Sequence, residues 1–188
     1  MKNIFTLLAL TIGFSMNAQF WFQGTAPYAI QTNYAEASGN VSTAMGAGTT
    51  AIGDSSTAMG YNTDAIGGAS TAMGRGTTAS GDFSTAMGEN TTASGEVSTA
   101  MGYNTDAIGT YSTAMGAFTT ASAFYSTAMG RGTTAMGDKS TAMGGFTTAS
   151  DYASLVIGQY NSSGSSATSA TAFSTANTAF VIGNGVDG

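Results

Sequence analysis

Small apolar and polar side chains alternate along most of this chain, and the pattern repeats every 14 residues. The pentapeptide Ser-Thr-Ala-Met-Gly occurs eight times without an insertion, first at Ser42 and last at Ser140. Seven residues after the start of each copy begins a related but less strictly repeated pentapeptide, such as Thr49-Thr50-Ala51-Ile52-Gly53. Such unbroken spacing is typical of a stack of equal structural units. We number each coil from its first serine as position 1 and predict two five-residue strands per coil, joined by two-residue corners.

The residue types in the coil favour strands over helices. Gly, Ser and Thr dominate the unit, so a helix with the same seven-residue period would be unfavourable. Glycine ends most of the predicted strands, at positions 5 and 12. We expect a corner with positive φ at both positions, because glycine adopts that conformation without steric cost.

The two faces of each strand carry different side chains. Successive side chains of a strand point to opposite faces, so positions 1, 3 and 5 share one face with positions 8, 10 and 12 of the second strand. That face carries only Ser, Thr, Ala and Gly in nearly every coil, which suits a thin interior. The opposite assignment would bury Asp64 and Asp106, at position 9, without a cationic partner. We therefore predict that positions 9 and 11 face water.

Position 4 is methionine in every one of the eight coils, and alternation directs it out of the coil. Stacked about 4.8 Å apart, these side chains would form an apolar stripe roughly 35 Å long, which a soluble protein seldom exposes. The sequence therefore predicts that several chains pack their methionines around a common axis, with three chains as the natural number for a compact seam. The alternative places methionine inside the coil of a monomer. The predicted seam residues are Met45, Met59, Met73, Met87, Met101, Met115, Met129 and Met143.

Both ends of the chain depart from the repeat. Residues 1–18 have the pattern of a secretory signal peptide, because Lys2 precedes an apolar run that is too short to span a bilayer. The repeat predicts a β-roll over residues 33–158, preceded by an N-terminal cap segment over residues 19–32. We expect residues 159–188 to form an irregular C-terminal cap, in which Phe180-Val181-Ile182-Gly183 supplies a closing strand.

Composition excludes several classes of function. The chain has a formal net charge of −6 and only four basic residues, which makes it a poor ligand for nucleic acid. It contains neither His nor Cys, the commonest bases, metal ligands and nucleophiles. The carboxylates at position 13 belong to different coils and do not converge as a catalytic pair would. We expect no enzymatic activity and no cofactor; calcium binding by this acidic edge has no recognisable loop spacing to support it.

Variation is concentrated at the corners, at positions 6, 7, 13 and 14. Nearly all aromatic and cationic residues of the repeats lie there, and exposed aromatic residues suit recognition of a surface, a glycan or a protein. The alternative is that neighbouring chains of the assembly cover them. The candidate recognition residues are Tyr61, Arg75, Phe83, Tyr103, Tyr111, Phe118, Phe124, Tyr125, Arg131 and Phe146.

The alternating Ser-x-Ala-x-Gly and Thr-x-Ala-x-Gly halves resemble the head repeats of YadA-type trimeric autotransporter adhesins. The resemblance covers roughly Asn33 to Gly158. It implies a homotrimeric, left-handed parallel β-roll, exported and displayed on the bacterial surface or released, that attaches to host, matrix or environmental surfaces. Family adhesins also carry a coiled-coil stalk and a membrane anchor, neither of which is found in these 188 residues. We therefore expect the chain to be a fragment, or to be released or anchored in another way.

Two further functions compete with adhesion. Rows of threonine at positions 2 and 9 could order water, as in an ice-binding solenoid, although Asp64 and Asp106 interrupt the second row. The chain could also be a purely structural rod without a specific ligand. The resemblance favours an adhesive or structural head, with an extracellular surface, glycan or matrix protein as its partner.

Overall fold

The computed structural model describes residues 22–23, 29–32, 34–161, 170–172 and 180–184. The predicted signal peptide, the aromatic residues Phe20 and Trp21, and most of the predicted irregular segment after Gln159 lie outside the described residues.

The described residues form a parallel β-solenoid with about 14 residues per turn. All 21 strands found in this part of the chain are short. They are β1 (Phe22–Gln23), β2 (Ile30–Gln31), β3 (Ala35–Ala37), β4 (Thr43–Ala47), β5 (Thr49–Ala51), β6 (Thr57–Tyr61), β7 (Asp64–Ala65), β8 (Thr71–Arg75), β9 (Thr78–Ala79), β10 (Thr85–Glu89), β11 (Thr92–Ala93), β12 (Thr99–Tyr103), β13 (Asp106–Ala107), β14 (Thr113–Ala117), β15 (Thr120–Ala121), β16 (Thr127–Arg131), β17 (Thr134–Ala135), β18 (Thr141–Gly145), β19 (Thr148–Ala149), β20 (Leu155–Gln159) and β21 (Phe180–Asn184).

Two parallel sheets face each other across the solenoid. Over the described residues, the first sheet contains twelve strands, β1-β2-β4-β6-β8-β10-β12-β14-β16-β18-β20-β21, and only the β1–β2 pair is antiparallel. The second sheet contains nine, from β3 to β19. Equivalent residues of successive coils pair without a shift, so Met87 of β10 lies opposite Met73 and Met101 of the adjacent coils. The handedness of the solenoid stays a prediction from the resemblance.

The interior is a column of alanines flanked by small hydroxyl residues. Positions 1, 3, 8 and 10 are buried throughout the repeats, as Ser84, Ala86, Thr91 and Ala93 are in one coil. The predicted interior is therefore confirmed at these four positions, whereas the glycine at position 5, which was predicted to share this face, is exposed in most coils, as Gly102 is. Asp64 of β7 is only partly buried, so the position 9 face reaches solvent. Because the interior holds little more than methyl groups, the ladder hydrogen bonds carry much of the stability of each coil.

The strand lengths differ from the prediction. The first strand of each repeat coil does have five residues, but it runs over positions 2 to 6, and the second strand usually has only two residues. The second strand ends at position 10 because two successive N–H groups converge on one carbonyl. Ser80 and Gly81, for example, both donate to the Ala93 carbonyl oxygen, at 2.9 and 3.2 Å.

The corner conformations also differ in part. Glycine at position 5 has positive φ, 125° at Gly102, as predicted, but glycine at position 12 does not. At position 12 the requirement is space: a Cβ at Gly95 would clash with the Gly109 carbonyl oxygen of the next coil. The left-handed corner residues are instead those at positions 7 and 14, including Phe118 (φ 56°) and Tyr111 (φ 58°).

The last strand of the first sheet is β21, within the segment where the sequence predicts a closing strand. Strand β21 pairs in parallel with β20, and Val181 lies opposite Val156 although many residues separate the two strands in sequence. Between these strands, the Ala170 carbonyl oxygen accepts a hydrogen bond from the Asp138 N–H at 2.7 Å. Ala170 therefore contacts a corner of the solenoid.

The second sheet ends at an asparagine side chain. Asn161 stands at position 8 of the last coil, where the repeats have threonine. Its Oδ1 accepts from the Thr148 N–H at 2.7 Å, and its Nδ2 donates to the Thr148 carbonyl at 2.9 Å. The side-chain amide thus substitutes for the backbone of a further strand and covers an edge that would otherwise be free to pair.

Candidate functional site

The methionines at position 4 form one continuous face of the first sheet, which we call the methionine face. Ladder pairing aligns them from Met45 to Met143, and Ile157 continues the row in β20. Each methionine is partly buried in the single chain, whereas the alanine before it is fully buried. The side chains therefore point out of the coil and leave part of their apolar surface uncovered. Partly exposed threonines at position 2, such as Thr99, flank them on the same face.

The ten predicted recognition residues are all exposed, but they fall on two separate edges. The first edge comprises the corners at positions 6 and 7, and the second edge comprises those at positions 13 and 14. The first edge carries Tyr61, Arg75, Tyr103, Phe118, Arg131 and Phe146; the second carries Phe83, Tyr111, Phe124 and Tyr125. The structure therefore does not bring the ten residues into one site.

The C-terminal half of the first edge is an aromatic row. Tyr103 and Phe118 meet edge to face with ring centroids 5.2 Å apart, and Phe146 and Tyr160 stack at 5.0 Å. The Arg131 guanidinium lies over the Phe146 ring, 5.4 Å from its centroid. These contacts run along the stack because equivalent corners of successive coils lie one strand spacing apart.

The second edge carries an aromatic cluster around Tyr125. The Tyr111 and Tyr125 rings stack with centroids 4.7 Å apart, and Phe124 packs edge to face against Tyr125 at 4.3 Å. One coil further on, Lys139 Nζ lies 2.6 Å from the Tyr152 hydroxyl. This hydrogen bond raises the pKa of Lys139 above its ordinary value. The edge thus changes from apolar to cationic over two coils.

The aspartates at position 13 have a structural partner that the sequence did not reveal. Asp54, Asp82 and Asp138 each accept a hydrogen bond from the backbone N–H one coil earlier, at 2.8 to 3.2 Å. Each bond satisfies a corner N–H that the short strands leave out of the ladder. Within the described residues, no group of three or more His, Cys, Asp or Glu is placed to hold a metal ion.

The N-terminal half of the first edge contains a shallow pocket that the sequence reasoning missed. Its volume is about 190 Å³, and we call it the Gly76 notch. It is lined by Tyr61, Asn62, Arg75, Gly76, Glu89 and Asn90. Across it, Arg75 Nη1 and Glu89 Oε1 form an ion pair at 3.2 Å. The available signal was glycine between two asparagines at position 7 of three successive coils, because a missing side chain in a stacked row leaves a gap.

The model of one protein family matches most of the repeat region. The description of the family is YadA head domain repeat (2 copies), and its matches cover residues 37–63, 65–88, 79–105, 107–133 and 135–161. A search of curated proteins finds no match to the chain. In the described part of the chain, no helix is long and apolar enough to cross a membrane.

Proposed function

Because the chain belongs to the family of YadA head domain repeats, we propose that it is a surface-attachment head of an exported bacterial adhesin, assembled as a homotrimer. The methionine face is the observation that carries this proposal. Its eight methionines stand in register on the outside of a solenoid whose own interior holds only alanine and small hydroxyl residues in the repeats. A face of this kind needs a partner, and equivalent faces of identical chains supply one.

The energy available at such a seam supports assembly. Full burial of a methionine side chain contributes about 1.5–3 kcal/mol, and each one is already partly buried in the single chain. If roughly 1 kcal/mol per methionine remains to be gained, eight of them contribute on the order of 8 kcal/mol per chain. We propose that this gain, together with the ladder hydrogen bonds, keeps the thin coils folded and rigid.

The proposed role is attachment, without catalysis and without a cofactor. The seam would use the methionine face and leave at least one of the two aromatic edges open along the rod. The partner would be an extracellular surface, glycan or matrix protein, as the family membership suggests. The ice-binding alternative has less support, because Asp64 and Asp106 stand in the threonine row of the second sheet and the other threonine row flanks the methionines.

The molar mass of the purified chain tests the assembly. Sedimentation equilibrium should give three times the mass of one chain. Replacement of Met87 and Met101 together by aspartate should dissociate the trimer and unfold the solenoid, because buried carboxylates without cationic partners each cost several kcal/mol. The matched control replaces Ser80 and Ser94 by aspartate on the water-facing side of the second sheet, and it should remain a folded trimer.

Two outcomes would contradict the proposal. A folded, unchanged oligomer of the Met87→Asp, Met101→Asp variant would remove the methionine seam. A folded monomer of the unmodified chain would also reject the seam and would make the ice-binding solenoid the better hypothesis. Attachment itself is measured by binding of the purified trimer to cells, immobilised matrix proteins and glycans; a trimer that binds none of them would be a structural rod.

A further inference from the structure

The Gly76 notch results from a single missing side chain in a stacked row. Position 7 is asparagine in the coils before and after Gly76, at Asn62 and Asn90. Gly76 has φ of 62°, close to the 50° and 53° of these asparagines, so the backbone continues without a break. A Cβ at Gly76 would lie 2.7 Å from Asn90 Oδ1, so the amide group of Asn90 reaches over the glycine. The floor of the notch is therefore backbone, and its walls are polar.

The walls combine three kinds of group. Tyr61, which is 53% exposed, lines one side and contributes an aromatic ring to an otherwise polar surface. The amides of Asn62 and Asn90 offer donors and acceptors. Arg75 and Glu89 hold each other in place by their ion pair, with side chains that remain 69% and 45% exposed and free to make further hydrogen bonds.

On the same edge, another glycine at position 7 is covered by a neighbouring side chain and forms no such notch. Gly132 follows Arg131 as Gly76 follows Arg75, but its neighbours at position 7 are Phe118 and Phe146. The Phe146 ring lies over Gly132, with Cδ1 2.6 Å from where a Cβ would be. An arginine–glycine corner therefore does not make a pocket by itself; the amides and the carboxylate make the difference at Gly76.

We propose that the Gly76 notch binds one neutral pyranose residue of a glycan. An aromatic face that stacks on the C–H side of a sugar ring, beside amide and charged groups that hydrogen-bond its hydroxyls, is the chemistry that recognises carbohydrate. The volume is smaller than the roughly 300 Å³ at which pockets for drug-sized ligands begin, so the notch accommodates a single ring. This inference rests on the proposed attachment function and names the ligand class for it.

Charge selects a neutral sugar over an acidic one. The positive charge of Arg75 is balanced by Glu89 within the notch, and the whole chain has a formal net charge of −6. An acidic sugar would approach against this field without an unpaired cation to bind it. The affinity of one shallow, solvent-exposed notch will be weak, on the order of millimolar, and a trimer would raise it by presenting three copies to one glycan surface.

Filling the notch gives a sharp test. Asparagine already occupies position 7 with a left-handed backbone at three coils, so Gly76→Asn adds a side chain without backbone strain. Gly132→Asn is the matched control, because Gly132 has the same position and a φ of 65°, and the Phe146 ring beside it lies outside the notch. Tyr61→Ala removes the aromatic ring from the notch. Because Tyr61 is exposed, this substitution should not disturb the fold.

The probes are methyl β-galactopyranoside, methyl β-glucopyranoside, methyl α-mannopyranoside and N-acetylglucosamine, with sialic acid as the acidic comparison. Binding to the full chain is followed by saturation-transfer NMR and by amide shifts of a labelled sample. We expect at least one neutral sugar to bind and to shift the Gly76 and Asn90 amides. Gly76→Asn and Tyr61→Ala should each weaken binding about tenfold or more, and Gly132→Asn should leave it unchanged.

Three results would overturn the inference: no neutral sugar binds, sialic acid alone binds, or Gly76→Asn binds as well as the unmodified chain. Molar mass and surface attachment are measured on the same samples. A trimer that attaches to surfaces but fails the sugar test would remove the notch while leaving the proposed function intact. If the unmodified chain does not have the molar mass of a trimer, the proposed function would instead be rejected.

Discussion

Ala123 replaces the glycine found at position 12 in most coils, and its side chain is only a methyl group. This replacement makes the stability of the coil depend on Ser126. In other coils the position 12 N–H donates to the alanine of the next coil, as Gly95 does to Ala107 at 3.2 Å. Ala123 donates instead to Ser126 Oγ at 3.2 Å, and Ser126 Oγ donates back to the Ala123 carbonyl at 2.7 Å. The close approach at position 12 explains the change, because a Cβ there meets the backbone of the next coil.

The Ser126 hydroxyl therefore makes two hydrogen bonds to Ala123 that most position 1 serines after a glycine lack, although Ser42 Oγ does donate to the Gly39 carbonyl at 2.6 Å. Ser98 has the same position two coils earlier, and its buried Oγ has no hydrogen-bond partner among the described residues. Removing a hydrogen bond costs about 1 kcal/mol, and leaving its partner unsatisfied adds a similar amount. We expect Ser126→Ala to lower the free energy of unfolding by about 1–2 kcal/mol and Ser98→Ala to leave it nearly unchanged.

A double-mutant cycle isolates this dependence. In an Ala123→Gly background the position 12 N–H should return to the Ala135 carbonyl, and Ser126→Ala should then cost almost nothing. The interaction energy between the two sites should be about 1–2 kcal/mol. Urea unfolding followed by circular dichroism measures it, with all four proteins at one concentration because assembly contributes to stability. Additive effects of the two substitutions, or equal losses for Ser98→Ala and Ser126→Ala, would refute the reasoning.

Two further predictions follow from the corners and from the end of the second sheet. Gly102→Ala should destabilise the solenoid by more than about 3 kcal/mol in thermal or urea unfolding, because φ of 125° and a clash with the next coil oppose a Cβ together, whereas Gly48→Ala, at φ of 67°, should cost only about 1 kcal/mol. Asn161→Ala should expose the edge at Thr148, so we expect faster hydrogen exchange of the Thr148 amide and slow concentration-dependent aggregation; unchanged exchange would show that the amide does not cover the edge.

The assignment of faces could be predicted because polarity was asymmetric at a few positions. Asp64 and Asp106 could not enter a dry interior, and that one constraint placed positions 9 and 11 outside and alanine inside. The closing strand was also readable, since the residues from Phe180 to Gly183 repeat the pattern with larger side chains. In both cases a short-range pattern reported directly on burial.

The corners could not be predicted as well, because their conformation depends on contacts between coils. Phe118 and Tyr111 adopt positive φ although such residues normally avoid it, so local propensity pointed to the glycines instead. The stacked ladder imposes the left-handed turn, since each such residue donates its N–H to a carbonyl of the preceding coil, as Phe118 does to Tyr103 at 2.9 Å. The glycine at position 12 is likewise required by a close contact with the backbone of the next coil, 14 residues further along the chain.

The sequence predicted which residues of the candidate site are exposed, but it did not predict which of them lie next to one another. Sequence reasoning singled out aromatic and cationic corners, and all of them are exposed. It did not select Glu89 or the two asparagines beside Gly76, because each is unremarkable within its own coil. Only stacking places residues 14 and 28 positions apart in one notch, so a solenoid site is visible in the column of equivalent positions and hidden along the chain.

The interior explains why chemical variety is confined to the corners. Most buried hydroxyls at positions 1 and 8 in the described coils, from Thr49 to Thr133, have no hydrogen-bond partner there, so these side chains serve by being small rather than by bonding. A larger residue would force the two sheets apart, and the same change repeated in every coil would accumulate along the stack. The methionine face is equally constrained if chains pack along it. The corners enter neither the interior nor that face, so they can carry aromatic, charged and amide groups in any order. Recognition by this solenoid would therefore use residues along its edges, and each coil would contribute its own corner residues.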